Sequence, residues 1–216
     1  SPSIATQSTT LQSQIDDATS NQTIELTANT TESITIPNGK TITLDLNSHT
    51  LTNTAGDHTI TVENGGTLTI MGSGTVDNIT HGKAAVNNNA GGTVTLSGGT
   101  YTRSAEAGSS ADNSGGNSYY TLLNHGTMTI NSGVTVNQGS DGKGKFSSLI
   151  ENGWYNGNQN VGKTPSTMII NGGTFSGGLN TLKNDDYGNL TIEGGTFENF
   201  AQSCFLNWNV ATINGG

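Results

Sequence analysis

One phrase recurs along this chain and limits what it can fold into: an apolar-Thr-apolar triplet, a polar step, then Gly-Gly-Thr and an aromatic or β-branched residue. It reads Leu68-Thr69-Ile70 before Gly74-Thr75-Val76, and Val94-Thr95-Leu96 before Gly98-Gly99-Thr100-Tyr101. Met128-Thr129-Ile130 leads into Ser132-Gly133-Val134, and Met168-Ile169-Ile170 into Gly172-Gly173-Thr174-Phe175. Leu190-Thr191-Ile192 precedes Gly194-Gly195-Thr196-Phe197, and Ala211-Thr212-Ile213 precedes Gly215-Gly216. From Leu68 the triplets start 26, 34, 40, 22 and 21 residues apart. The alternation is that of short strands. A coil of about 21 residues holds three of them and cannot bury its apolar face alone, so neighbouring coils must stack. Parallel strands in one sheet require right-handed crossovers. The expected fold is all-β, a right-handed parallel β-helix (β-solenoid) with equivalent residues about 4.8 Å apart in ladders.

Composition agrees once charge is considered. Only 30% of the 216 residues are hydrophobic, which by itself suggests disorder, but only 11% are charged and 31 are glycine. Disordered chains are usually highly charged and lack period. Sixteen acids against seven bases give a net charge of −9, with no basic stripe. Nucleic acid and anionic membrane surfaces are therefore not expected partners. No apolar run is long enough to span a bilayer, and no secretory signal opens the chain. The single cysteine, Cys204, excludes an internal disulfide framework and reads as a small buried hydrophobe.

A second ladder is expected at the asparagines that follow an apolar pair: Asn64, Asn88, Asn124, Asn152, Asn184 and Asn207. Asparagine tolerates the tight turn, and its amide can bond to copies above and below. Tyr101, Phe175 and Phe197, each after Gly-Gly-Thr, form a core column. At the N-terminus Leu11, Ile15 and Ala18 fall at helical spacing, with Thr9 and Gln12 as a capping box. Residues 1–22 thus read as a capping segment whose short helix covers the open end of the stack. Residues 23–216 read as the parallel β-helix, continuing in a longer parent protein because the chain stops within a repeat.

The run from Ile34-Thr35-Ile36-Pro37-Asn38-Gly39 through Leu44-Asp45-Leu46-Asn47-Ser48-His49-Thr50-Leu51-Thr52 resembles the opening of pectin-lyase-like β-helix modules in large Gram-positive surface proteins. The Gly-Gly-Thr-Phe coils are similar to the repeats of those modules, and the resemblance covers the chain from Leu11 onward. It implies a secreted, cell-surface setting, attachment to the cell wall through other parts of the parent, and host or plant polysaccharides or glycoproteins as partners. Relatives in the superfold include polysaccharide lyases and hydrolases, so the residues must be tested for catalysis.

They do not pass. A lyase of this fold needs a strong base and carboxylate-held calcium, yet the one arginine, Arg103, sits in a small polar insertion and reads as a solvated charge. A hydrolase needs carboxylates at a set separation, and the one adjacent acidic pair is Asp185-Asp186. His49, His58, His81 and His125 show no metal-ligand spacing. No catalytic residue, resident metal or cofactor is expected, and whether calcium binds at Asp185 and Asp186 is left open.

Another set of side chains comes just after the ladder asparagine in four coils: His125, Trp154 with Tyr155, Asp185 with Asp186 and Tyr187, and Trp208. Stacking places them on one edge over about 14 Å. Aromatic faces beside carboxylates and amides suit a sugar, whose apolar face meets the ring while its hydroxyls meet the polar groups. Insertions at residues 103–118, 138–146 and 153–165 enlarge the coils, and in solenoids such insertions often build a binding face. Of Tyr119 and Tyr120, alternation lets only one point inward. The expected function is a monomeric, non-catalytic adhesin module binding glycans along this edge, the alternatives being a polysaccharide-degrading enzyme or a stalk. Acidic glycans are expected to bind only once the acids of the edge are protonated.

Overall fold

The repeat dictates the architecture, and the chain winds into a right-handed parallel β-helix. The structure, a computed structural model, describes residues 9–105, 119–137, 148–155 and 163–216. Most of the 103–118 insertion, all of that at 138–146 and the middle of that at 153–165 lie outside these residues. Among the described residues, three parallel sheets of eight, seven and seven strands run the length of the stack. One coil contributes Thr41–Asp45 to the first sheet, Thr50–Thr52 to the second and Ile60–Val62 to the third.

The register is the one the repeat sets. Ile42, Leu68, Val94, Met128, Met168, Leu190 and Ala211 stack in the first sheet. Leu51, Val76, Tyr101, Val136, Phe175 and Phe197 stack in the second. Ile60, Val86, Leu122, Ile150, Leu182 and Phe205 stack in the third. These columns meet at the axis as one continuous core. Each fully buried aliphatic or aromatic side chain contributes about 1.5–3 kcal/mol. Tyr101 is buried with its hydroxyl donating to the Gly98 carbonyl at 2.8 Å, and the Phe175 and Phe197 rings stack at 4.8 Å.

The helix Leu11–Asp17 covers the N-terminal end, with Leu11, Ile15 and Ala18 buried. Its cap is Thr10, one residue later than the expected Thr9: the Thr10 hydroxyl accepts from Ser13 N at 3.0 Å. Gln12 is used elsewhere. Its amide accepts from Thr35 N at 2.7 Å and donates to Thr35 O at 2.9 Å, closing the otherwise bare edge of the third sheet. The Glu32 carboxylate takes the free N–H groups of Leu11 and Gln12 at 3.0 and 2.8 Å.

The asparagine ladder forms with five members, not six. The Nδ2 of Asn88, Asn124, Asn152 and Asn184 each donates to Oδ1 of the next, ending on Asn207, at 2.8–2.9 Å. Asn64 is not among them, because Asn88 pairs with Val62, two residues earlier. In the first coils Ile36 and Val62 fill that position with apolar side chains, so the ladder has a foot. There the Asn88 Oδ1 is buried without a partner, since the coil below offers no amide.

Candidate functional site

The residue after each ladder asparagine is held in register by the backbone. His125 N donates to Asn88 O at 2.9 Å, Gly153 N to Asn124 O at 3.1 Å, Asp185 N to Asn152 O at 2.8 Å, and Trp208 N to Asn184 O at 2.7 Å. Trp154 falls one position later. Gly153 has φ +105°, and a Cβ there would lie 2.7 Å from the Asp186 carbonyl. This left-handed glycine turns Trp154 back onto its neighbours. Its N–H then bonds Asp186 O at 2.9 Å in an antiparallel bridge, and its indole lies flat on His125, 3.5 Å between centroids.

The seven expected edge residues separate into four settings. Trp154 and His125 are packed together: the indole N–H donates to Thr164 O at 3.1 Å, and the Lys163 ammonium stands 4.2 Å from the ring centre. Burial, opposed by a hydrogen bond from the ring to the Gly153 carbonyl and aided by Lys163, lowers the His125 pKa to about 4. Asp186 and Tyr187 line a hollow of about 370 Å³ together with Pro165, Asn189 and Asn209. Tyr187 holds φ +63°, a conformation unfavourable for a residue with a Cβ, as is frequent where a side chain is aimed for function. Tyr155 and Trp208 project into solvent, 63% and 65% exposed. Asp185 is buried and belongs to another group.

That group lies on the outer face of the third sheet, in the column Leu123, Glu151, Lys183. Glu151 is fully buried and Asp185 is 5% exposed. The Lys183 ammonium sits 3.0 Å from Asp185 Oδ2, 4.8 Å from the Tyr155 ring centre and 5.8 Å from that of Tyr120. The Asp185 carboxyl and the Tyr120 hydroxyl lie beside the Glu151 carboxyl, but neither is aligned as a full hydrogen bond to its oxygens. Burial, then Asp185, pushes the Glu151 carboxyl well above the usual carboxylate range, while Lys183 and Tyr120 pull it back only in part. Burial and the neighbouring Glu151 and Asp185 likewise raise the Tyr120 hydroxyl. Sequence reasoning missed Glu151, Lys183 and Tyr120 here. The available signal was the outward position between the apolar residue and the ladder asparagine in Ile150-Glu151-Asn152 and Leu182-Lys183-Asn184.

Three other expectations are corrected. Arg103 is fully buried, with Nη1 donating to Tyr119 O at 2.8 Å. The register Thr52, Asp77, Thr102 carries it into the corner column of Asn53 and Asn78, so it is part of the scaffold. Tyr119 and Tyr120 both precede the strand Leu122–Asn124 and neither enters the core; Tyr119 instead meets His58, ring centroids 5.4 Å apart. Cys204 is exposed, because it points outward from the last coil, where Leu206 and Ser203 are also only partly covered. Among the described residues no three His, Cys, Asp or Glu side chains converge as a metal site, and no helix is long and apolar enough to cross a membrane. Comparison with known proteins finds no matching family model, no matching curated protein and no matching solved structure.

Proposed function

We propose that this β-helix is a non-catalytic glycan-binding module of a secreted, cell-surface adhesin, holding a polysaccharide or glycoprotein along the edge built after the asparagine ladder. One observation carries the reading: the hollow lined by Asp186, Tyr187, Asn189 and Asn209 is built by the turn after the ladder asparagine, the same turn that in other coils carries the exposed Tyr155 and Trp208 rings. A carboxylate accepts from two adjacent hydroxyls, and amides both give and take hydrogen bonds. Rings supply the apolar platform. A volume of about 370 Å³ lies within the range of small-ligand sites.

The buried acids support the non-catalytic reading over the hydrolytic one. Glycosidase carboxyls stand roughly 5–9.5 Å apart across a sugar they both reach. Glu151 and Asp185 face each other directly, with the Glu151 oxygens out of solvent contact.

Affinity electrophoresis through mucin and pectin, with Asp186→Ala and Trp208→Ala alongside the parent, tests this. Retardation of the parent and at least tenfold weaker retention of the variants, with circular dichroism unchanged, is the expected result. Equal migration of all three in every polysaccharide overturns it. Release of reducing or unsaturated ends replaces it with the enzymatic reading.

A further inference from the structure

The buried Glu151 and Lys183 are not used by the proposed edge, and with Asp185 they form a buried set of ionisable groups on the outer surface of the sheets. Two carboxyls that face each other away from water cannot both ionise without a cation or proton between them. A divalent cation is one solution, but the Lys183 ammonium already stands 3.0 Å from Asp185, and only two carboxylates converge among the described residues. Lys183 neutralises one acid, leaving one negative charge too many. A proton on one carboxyl removes that charge and also turns an acceptor into a donor, which the unpartnered Glu151 oxygens require.

We propose that Glu151 keeps its proton in the folded chain and donates it to the Asp185 carboxyl, and that this hydrogen bond is a clasp between two successive coils of the third sheet. The clasp joins successive coils: Glu151 comes from Ile150–Asn152, and Lys183 and Asp185 from the end of Asn180–Asn184 and the turn after it. Facing it are Tyr120 and Tyr119 from the segment before Leu122–Asn124, and Tyr155 beyond Gly153. In its own column Leu123 brings no charge. Among the described residues these groups hold one cation, two carboxyls and three phenols, so ionising both carboxyls leaves one buried negative charge without a cation. With the proton gone, the two carboxylates repel across the joint between coils and admit water between them. The clasp is independent of any glycan.

The direct test follows the Glu151 carboxyl carbon by NMR in the whole chain, assigned from the backbone. It is expected to keep its proton well above the pH at which the exposed carboxylates ionise; titration together with them between about pH 4 and 5 overturns the proposal. Hydrogen exchange of peptides covering residues 149–155 and 180–187 tests the opening, after correction for intrinsic rates. Releasing one proton on opening makes the opening constant rise about tenfold per pH unit above the ordinary glutamate value, until the closed form also loses its proton. In Glu151→Gln, whose amide donates at every pH, the constant is expected to be flat. A flat profile in the parent chain overturns the clasp, and the carboxyl titration decides the proton's presence even if the variant does not fold.

Discussion

The His125 imidazole lies against the Trp154 indole at 3.5 Å between centroids, with 3° between the planes. The two residues are 29 positions apart in sequence but one coil rise apart in space. The contact exists because Gly153, and not Trp154, occupies the register position above His125. An aromatic that the sequence marks as a free sugar platform is thus partly spent on holding its own loop.

Stacking at this distance makes Trp154 a reporter of the His125 charge. In a Trp208→Phe background, Trp154 fluorescence is expected to be quenched on acidification with a midpoint near pH 4, since burial lowers His125 to about 4. A midpoint near 6.5 in a fluorescence titration contradicts the buried stack.

Acid stability follows from the same shift. His125 and His58 both fall from 6.5 to about 4, chiefly through burial, and His58 Nδ1 accepts from Ala84 N at 2.9 Å in its neutral form. The unfolded chain therefore binds protons more readily than the folded one between these values. The stability these groups contribute is complete above pH 6.5 and is lost as pH falls toward 4. The Tm measured by calorimetry should drop across that interval, and His58→Gln should flatten part of the drop.

Breaking the amide ladder in its middle should be costly. Asn152→Ala removes the acceptor of Asn124 Nδ2 and leaves the buried Asn184 Oδ1 without its 2.9 Å donor. The expected loss is about 2–4 kcal/mol, read from urea unfolding. Asn64→Ala, at an exposed turn outside the ladder, should cost under about 0.5 kcal/mol. Equal effects of the two contradict the register.

Arg103→Ala tests whether a charge that looks solvated is structural. It removes a fully buried side chain and the 2.8 Å bond to Tyr119 O, so a loss of about 2–4 kcal/mol is expected. Lysine at the same place should not restore it, having no planar fork. A urea midpoint unchanged from the parent chain refutes the scaffold role.

The sequence by itself determined the winding. Alternating apolar residues in a repeated phrase leave stacking as the one way to bury them, so Leu68 must meet Val94 and Phe175 must meet Phe197 wherever the intervening loops go. Asparagines 88 to 207 were legible for the same reason, whereas Asn64 was not, because its exclusion depends on Val62 filling the interior first. The tertiary structure alone decided which polar groups lie beyond the reach of water. Glu151, Lys183 and Arg103 look like surface residues in one dimension. They are buried on or beside the outer faces, where neighbours come from other coils and no apolar period announces the cover. Hydrophobic period encodes the inside of a solenoid, while charge burial on its outside is set by what other coils place over it.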